Sequence, residues 1–194
     1  MFFNIFNSKP KLKELIPKGF VDIHSHVLPG LDDGAKNVEE SVMLISEMKN
    51  LGFSKIITTP HTYPGLYDNS ISSICDGYEK VKSEVPDGVE FFYASEYMID
   101  YSLKKKADSK SLLCIKDNFV LIEMGFIGFN SDFEQIIFDM RLNDYIPIIA
   151  HPERYRYLMN DKEMLLKLKK MGCRYQINLL SATGYYGKDI SEYT

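Results

Sequence analysis

Cysteine is scarce in this chain, and the little there is closes several routes. Cys75, Cys114 and Cys173 stand far apart, with no Cys-x-x-Cys pair among them. An odd, scattered set argues against a disulfide framework and fits inert thiols in a reducing compartment. Six residues after these cysteines stand Val81, Val120 and Leu179, so the Cys-x5-Arg loop of a cysteine phosphatase is absent. No apolar run approaches the roughly 20 residues needed to span a bilayer. The opening MFFNIFNSKPKLKEL is apolar first and basic second, the reverse of a secretion signal. Residues 1–18 are expected to form an arm docked on its own domain. A membrane-surface role for Phe2, Phe3, Ile5 and Phe6 is the weaker alternative. Net charge is −4, so no polycationic surface speaks for nucleic acid, although a local basic patch can still bind a phosphorylated ligand. The glycine-rich loop of a P-loop nucleotide site and the Gly-x-Ser-x-Gly elbow are both missing, and GFIGF at Gly125 lacks the third glycine of a dinucleotide fingerprint. The chain reads as cytoplasmic.

What is present is an alternation of β-rich runs and amphipathic stretches in 194 residues, the size of one domain or one slightly incomplete larger one. The first strand is predicted over Phe20 to His24. Asn37 with Glu40 reads as a capping box, followed by Val38, Val42, Ile45 and Met48 at helical spacing and a stop at Gly52. FSKIITT leads to His61, a helix spans Ile71 to Glu84, and VEFFYAS leads to Glu96. NFVLIEM contains Glu123, a helix covers Asp132 to Leu142, and YIPIIA ends at His151. Asn160 with Glu163 suggests a second capping box before the stripe Met164, Leu165, Leu168 and Met171, and CRYQIN is the sixth strand. Such alternation means right-handed crossovers and a mainly parallel sheet. Closure into a TIM-like barrel is expected, with an open doubly wound sheet as the alternative.

Every one of the first five strands finishes on a metal-capable residue: His24 and His26, His61, Glu96, Glu123 and His151. In a parallel α/β fold these ends gather on one face. His24 and His26 are two apart, so both imidazoles point the same way from an extended chain. Asp22 lies one layer deeper and is a candidate to orient a histidine. Of Asp32 and Asp33 in LDDGAKN, one can ligate a metal while the other caps the turn. Glu96 and Glu123 follow strongly apolar runs, where a carboxylate is costly without a cation; a salt bridge to Lys or Arg is the plainer alternative. Arg154, three residues past His151, offers a planar fork suited to phosphate oxygens, with a surface salt bridge to Glu153 or another nearby acid as the plainer alternative.

A His/carboxylate set without thiolate fits Mn²⁺, Fe, Zn²⁺ or Mg²⁺. So many donors suggest ions about 3.5–4 Å apart, bridged by a carboxylate and a hydroxide that attacks phosphorus in line.

FVDIHSHVLPGLDDGAKNVEES, TTPHTYPG, ASEY, LIEM and IAHPERY together resemble the polymerase-and-histidinol-phosphatase (PHP) superfamily. The nearest branch is the bacterial manganese-dependent protein tyrosine phosphatases of capsule and exopolysaccharide synthesis. The likeness runs from about Phe20 to Asn178. It implies a distorted (β/α)7 barrel over residues 19–194, with two or three ions, Mn²⁺ first among the candidates and Co²⁺ also admitted. It implies the ligands His24, His26, Asp33, His61, Glu96, Glu123 and His151, with Arg154 on the phosphate and with His61 and His151 also in the catalytic set. It further implies a phosphotyrosine substrate on a bacterial tyrosine kinase of polysaccharide synthesis, met at the inner face of the membrane. A homo-oligomer is admitted. The family's last strand ends in Ser-Asp-x-His, whereas no histidine follows His151 here. The C-terminal part of the barrel is therefore expected to be missing from residues 1–194. A small-molecule phosphatase of the histidinol-phosphate type and a non-catalytic binding fragment are the alternatives.

Overall fold

The computed structural model describes residues 12–193, so the opening aromatic residues of the expected arm lie outside the described residues. What is described of the arm is a short helix, α1 (Leu12–Leu15), followed by Ile16, which is buried against the core. The remaining strands are β1 (Phe20–Asp22), β2 (Phe53–Thr58), β3 (His61–Thr62), β4 (Glu90–Tyr93), β5 (Glu96–Met98), β6 (Phe119–Glu123), β7 (Ile146–Ala150) and β8 (Arg174–Gln176). All named pairings are parallel, in two sheets ordered β1-β2-β4 and β3-β5-β6-β7-β8. This is the mixed α/β, parallel-sheet class that the alternation predicts.

Two predicted strands are broken, and the break has a cause. The run to His61 splits into β2 and β3 at Thr59-Pro60, and the run to Glu96 splits into β4 and β5 at Ala94-Ser95. Proline has no N–H for a ladder. The two sheets are stitched across the break by Ala94 N–H to Thr58 O (2.8 Å) and Glu96 N–H to Pro60 O (3.1 Å). The Ser95 hydroxyl donates to Pro60 O at 2.9 Å. The first strand also stops early, at Asp22 rather than His24. Residues 24–27 are held instead by the Thr58 hydroxyl, which donates to Ser25 O (2.8 Å) and accepts from Val27 N–H (3.2 Å), and by Thr59 N–H on Ser25 O (2.7 Å).

Helices cover the outer faces. α2 (Val38–Leu51) and α3 (Ile71–Val81) enclose Ile45, Ile56, Ile74 and Phe91. α5 (Phe133–Leu142) and α7 (Lys162–Lys170) pack Ile137, Met140 and Leu168 on Val120, Ile122 and Ile149. Strand alternation then turns Leu121, Ile148 and Ala150 to the other face, where they form a cluster of their own. Glu123 is on that same face as Leu121 by the same period of two.

The helix ends correct three details. Asn37 caps α2, but the Glu40 carboxylate takes Lys36 N–H at 2.9 Å, one residue earlier than a capping box requires. α7 is capped by Asp161, not Asn160, which closes the short α6 (Arg156–Met159). α4 (Tyr101–Asp108) was not expected, because YSLKKKAD buries only Leu103 and Ala107, too narrow a stripe to read; its signal is Asp100, which accepts from Ser102 and Leu103 N–H. Two further short helices follow β8: α8 (Leu179–Ala182) and α9 (Lys188–Tyr193). No described helix is long and apolar enough to cross a membrane.

Candidate metal centre

One pocket gathers six predicted residues: His24 and His26 just past β1, Glu123 at the end of β6, His151 just past β7, and His61 and Glu96, which open β3 and β5 rather than ending strands, with Asp33 and Arg154 at its edge. Glu96, at the start of β5, is fully buried and is the hub. Its Oε2 lies 3.1 Å from His24 Nε2, 3.3 Å from His26 Nε2 and 3.3 Å from His61 Nδ1. Its Oε1 lies 3.0 Å from His151 Nε2. Among the described residues no lysine or arginine pairs with Glu96 or Glu123, so the salt-bridge alternative fails for both.

The far nitrogens fix the tautomers. His24 Nδ1 donates to Gln176 Oε1 at 2.8 Å, and that oxygen also accepts His151 N–H at 3.2 Å. The Gln176 amide is oriented by donating to Asn178 Oδ1 at 2.9 Å. His26 Nδ1 donates to Asp32 Oδ2 at 2.6 Å. Asp32 in turn accepts Gly34 N–H (3.0 Å) and His61 N–H (2.9 Å). Asp22, expected to orient an imidazole, does not: its Oδ2 has no partner, and both Nδ1 atoms go elsewhere. The turn needs its glycine, since a Cβ on Gly34 would stand 1.9 Å from His26 O.

The donor atoms fit cations. His24 Nε2 and His26 Nε2 are 3.3 Å apart and share Glu96 Oε2, which matches donors each about 2.1 Å from one ion and so about 3 Å from one another. His61 Nδ1 and Glu123 Oε1 sit 2.8 Å apart, yet both are buried without a hydrogen-bond partner. Buried polar atoms are almost always satisfied, and a shared cation would satisfy these. Three groups can therefore hold an ion: His24, His26 and Glu96; His61, Glu96 and Glu123; and His26, Asp33 and His61. Asp33 is the exposed member, its Oδ1 3.8 Å from His61 Nε2. His151 is outside these groups but grips the other oxygen of Glu96. It adopts a left-handed backbone (φ 33, ψ 56), rare for a residue with a Cβ.

Electrostatics in the metal-free cluster follow from this packing. Burial alone would lower His26, but the Asp32 and Glu96 carboxylates outweigh it and raise its pKa to about 10. Burial would raise Glu96; His24, His151 and His26 overcome that and hold it well below the usual range. His61 is raised, burial being outweighed by Glu123 and Glu96.

Arg154 is exposed and has no acidic partner among the described residues; its guanidinium lies over Phe126 (5.2 Å) and Tyr186 (5.7 Å). Glu153, the expected alternative partner, is buried and turned the other way, accepting from Asn178 N–H (3.0 Å) and the Ser181 hydroxyl (2.7 Å). Sequence reasoning missed Gln176, although it ends β8 and so reaches the same rim as His24 and His151. It also missed Tyr67, which stacks on His61 at 5.4 Å, and the rings Phe126 and Tyr186, for which no local signal exists.

Fold and site together define a class: parallel α/β proteins with a His/carboxylate pocket whose donors can hold metal ions. The family described as capsular polysaccharide synthesis, CpsB/CapC, matches residues 20–194, and the chain belongs to it. It is 30% identical to the tyrosine-protein phosphatase YwqE of Bacillus subtilis (strain 168), over 90% of this chain and 70% of that protein. It is also 30% identical to the tyrosine-protein phosphatase CpsB of Streptococcus pneumoniae, over 81% of this chain and 67% of that one. A solved structure from work on YwqE and CpsB, described as unique metal-dependent tyrosine phosphatases, superposes with a TM-score of 0.81 at 29% identity. That match covers 90% of this chain and 72% of the other.

Proposed function

We propose that this chain is a metal-dependent phosphomonoesterase acting on phosphotyrosine in protein. The observation that carries the reading is the triangle of His24 Nε2, His26 Nε2 and Glu96 Oε2, with both Nδ1 protons committed to Gln176 and Asp32. The relatives' names and the metal dependence of the solved structure support it.

In this reading His24, His26 and Glu96 would hold one ion, and His61, Glu96 and Glu123 a second. Asp33 and His151 complete the set. Mixed nitrogen and oxygen donors without thiolate admit Mn²⁺, Fe, Zn²⁺ or Mg²⁺, and the resemblance to the manganese-dependent phosphatases puts Mn²⁺ first. Bound ions supply Lewis acidity to phosphoryl oxygens and lower the pKa of attacking water. The chain's own residues do the rest. Glu96 is the shared carboxylate. Arg154, without an acidic partner among the described residues, takes phosphoryl oxygens with its fork. The site belongs to a domain of residues 19–194, and Ile16, just ahead of it, is buried against that domain's core. The physiological substrate is a tyrosine kinase of polysaccharide synthesis, met in the cytoplasm at the membrane's inner face.

The test is turnover of a phosphotyrosine peptide, with a phosphoserine peptide as control, before and after chelation and with Mn²⁺ restored. Chelator-sensitive turnover, lost in the His24→Ala/His26→Ala variant, is expected. Turnover that survives full chelation would overturn the reading.

A further inference from the structure

The mouth of the pocket is flanked by aromatic rings that the metal cluster does not use. Phe126 lies on the loop after β6, and Tyr186 lies between α8 and α9. The two come from segments 60 residues apart in the chain, yet both stand over the same guanidinium, that of Arg154, at 5.2 and 5.7 Å. Both line the cavity that contains the histidines. Phe126 is 52% exposed and Tyr186 41%, so each keeps ring surface open to an incoming group.

Neither ring is loose surface. Phe126 is near-parallel to His151 (6.2 Å between centroids, 13° between planes) and leans on the fully buried Tyr155 at 5.5 Å. Tyr186 makes an edge contact with Tyr185 at 5.1 Å. Its segment is anchored from below by Glu153, the residue next to Arg154, through Asn178 N–H and the Ser181 hydroxyl. One buried carboxylate thus ties the α8 turn that leads to Tyr186 to the turn that carries Arg154.

We propose that Phe126 and Tyr186 form a clamp for the ring of an aryl phosphate ester whose phosphoryl group is bound by Arg154 and the metal cluster. The proposal rests on the phosphatase reading above and adds the residues that would select an aryl over an alkyl ester. The physical reason is the order of chemistry along the pocket. Charge and metal donors occupy the floor, a guanidinium the wall, and flat apolar faces the mouth. A dianionic head on an aromatic ring satisfies all three in sequence. An alkyl phosphate of the same charge leaves the mouth unfilled. Ring-on-ring contacts add about 0.5–1.5 kcal/mol beyond burial of their area. Such contacts form equally in the ground and transition states, so they act on binding rather than on the chemical step.

The test is equilibrium binding of two non-hydrolysable heads, phenylphosphonate and methylphosphonate, to the full chain loaded with Mn²⁺, by calorimetry. The readout is the ratio of their affinities. In the unmodified protein phenylphosphonate should bind about 10-fold more tightly. Phe126→Leu and Tyr186→Leu should each cut that preference to about threefold or less, Tyr186→Phe should keep it, and Arg154→Lys should weaken both ligands alike. Equal affinities in the unmodified protein, or a preference surviving both leucine variants, would overturn the clamp while leaving the phosphatase reading intact. Failure of both phosphonates to bind would overturn the phosphatase reading, and the clamp with it.

Discussion

His24 and His26 aim their Nε2 atoms at each other across 3.3 Å, while their Nδ1 atoms are held by Gln176 and Asp32. Two lone pairs so placed repel unless a proton or a cation lies between them. Gln176 and Asp32 are thus as much part of the centre as the proposed ligands are, since outer partners fix the ring orientation and tautomer. We expect Gln176→Leu to retain the fold and to lose metal affinity by about 10–100-fold. The measurement is competition with a chromophoric chelator, beside His24→Ala/His26→Ala as the zero reference. Unchanged affinity in Gln176→Leu would return that residue to a merely structural role.

A pH dependence of stability follows for the metal-free protein, with the sign set by the shifts. His26 is raised to about 10, and His61 is raised too. Their contribution is complete below the unfolded imidazole value of about 6.5 and is lost as pH climbs through the folded values. Glu96 is held well below its usual range, so its contribution is present above about 4.3 and disappears on acidification. This cluster should therefore stabilise the metal-free chain most between about pH 4.3 and 6.5. Saturating metal should remove the alkaline loss, because it replaces the His26 proton. Thermal unfolding across pH, with and without Mn²⁺, checks both. A metal-free stability that rises from pH 6.5 to 9 would contradict the charge arrangement.

Arg154→Lys should lower phosphotyrosine-peptide turnover by about 10²–10³-fold, because lysine keeps the charge and loses the fork. Metal content should not change, since the guanidinium faces rings rather than donor atoms. Equal losses of metal and rate would show that the residue supports the fold instead.

Thiols should be dispensable for catalysis. Cys75 and Cys114 are partly buried, Cys173 is fully buried, and none lines the metal pocket. Cys75→Ser with Cys114→Ser should leave chelator-sensitive turnover within about twofold, as for changes remote from reacting groups. Cys173 is better changed to alanine, because a serine hydroxyl there would be buried without a guaranteed partner. Loss of turnover with an intact circular dichroism spectrum would point to a thiol step.

The interior should be as sensitive as its packing suggests. Ile122 is fully buried on the helix-facing side of β6, directly before Glu123. Ile122→Ala should cost about 2–5 kcal/mol in unfolding free energy. Urea denaturation measures it, and a cost under 1 kcal/mol would show a site able to collapse around the gap.

Local pattern determined much of this protein. The strand runs, the α2 stripe with its stop at Gly52, and the placement of His24, His26, His61, Glu96, Glu123 and His151 were legible because period and turn chemistry act over a few residues. α4 was not legible, since YSLKKKAD hides its two buried positions among lysines. Nor was the stitching of the two sheets at the Pro60 break, where the Ser95 hydroxyl meets Pro60 O 35 residues away. Tertiary structure alone decided who serves whom. Gln176 reaches His24 across 152 residues, and Asp32, rather than Asp22, takes His26. It also turned Glu153 inward to Ser181, leaving Arg154 to two rings from distant loops. Such pairings depend on how parallel strands bring their ends together, and no local preference of the chain encodes which distant side chain will arrive there.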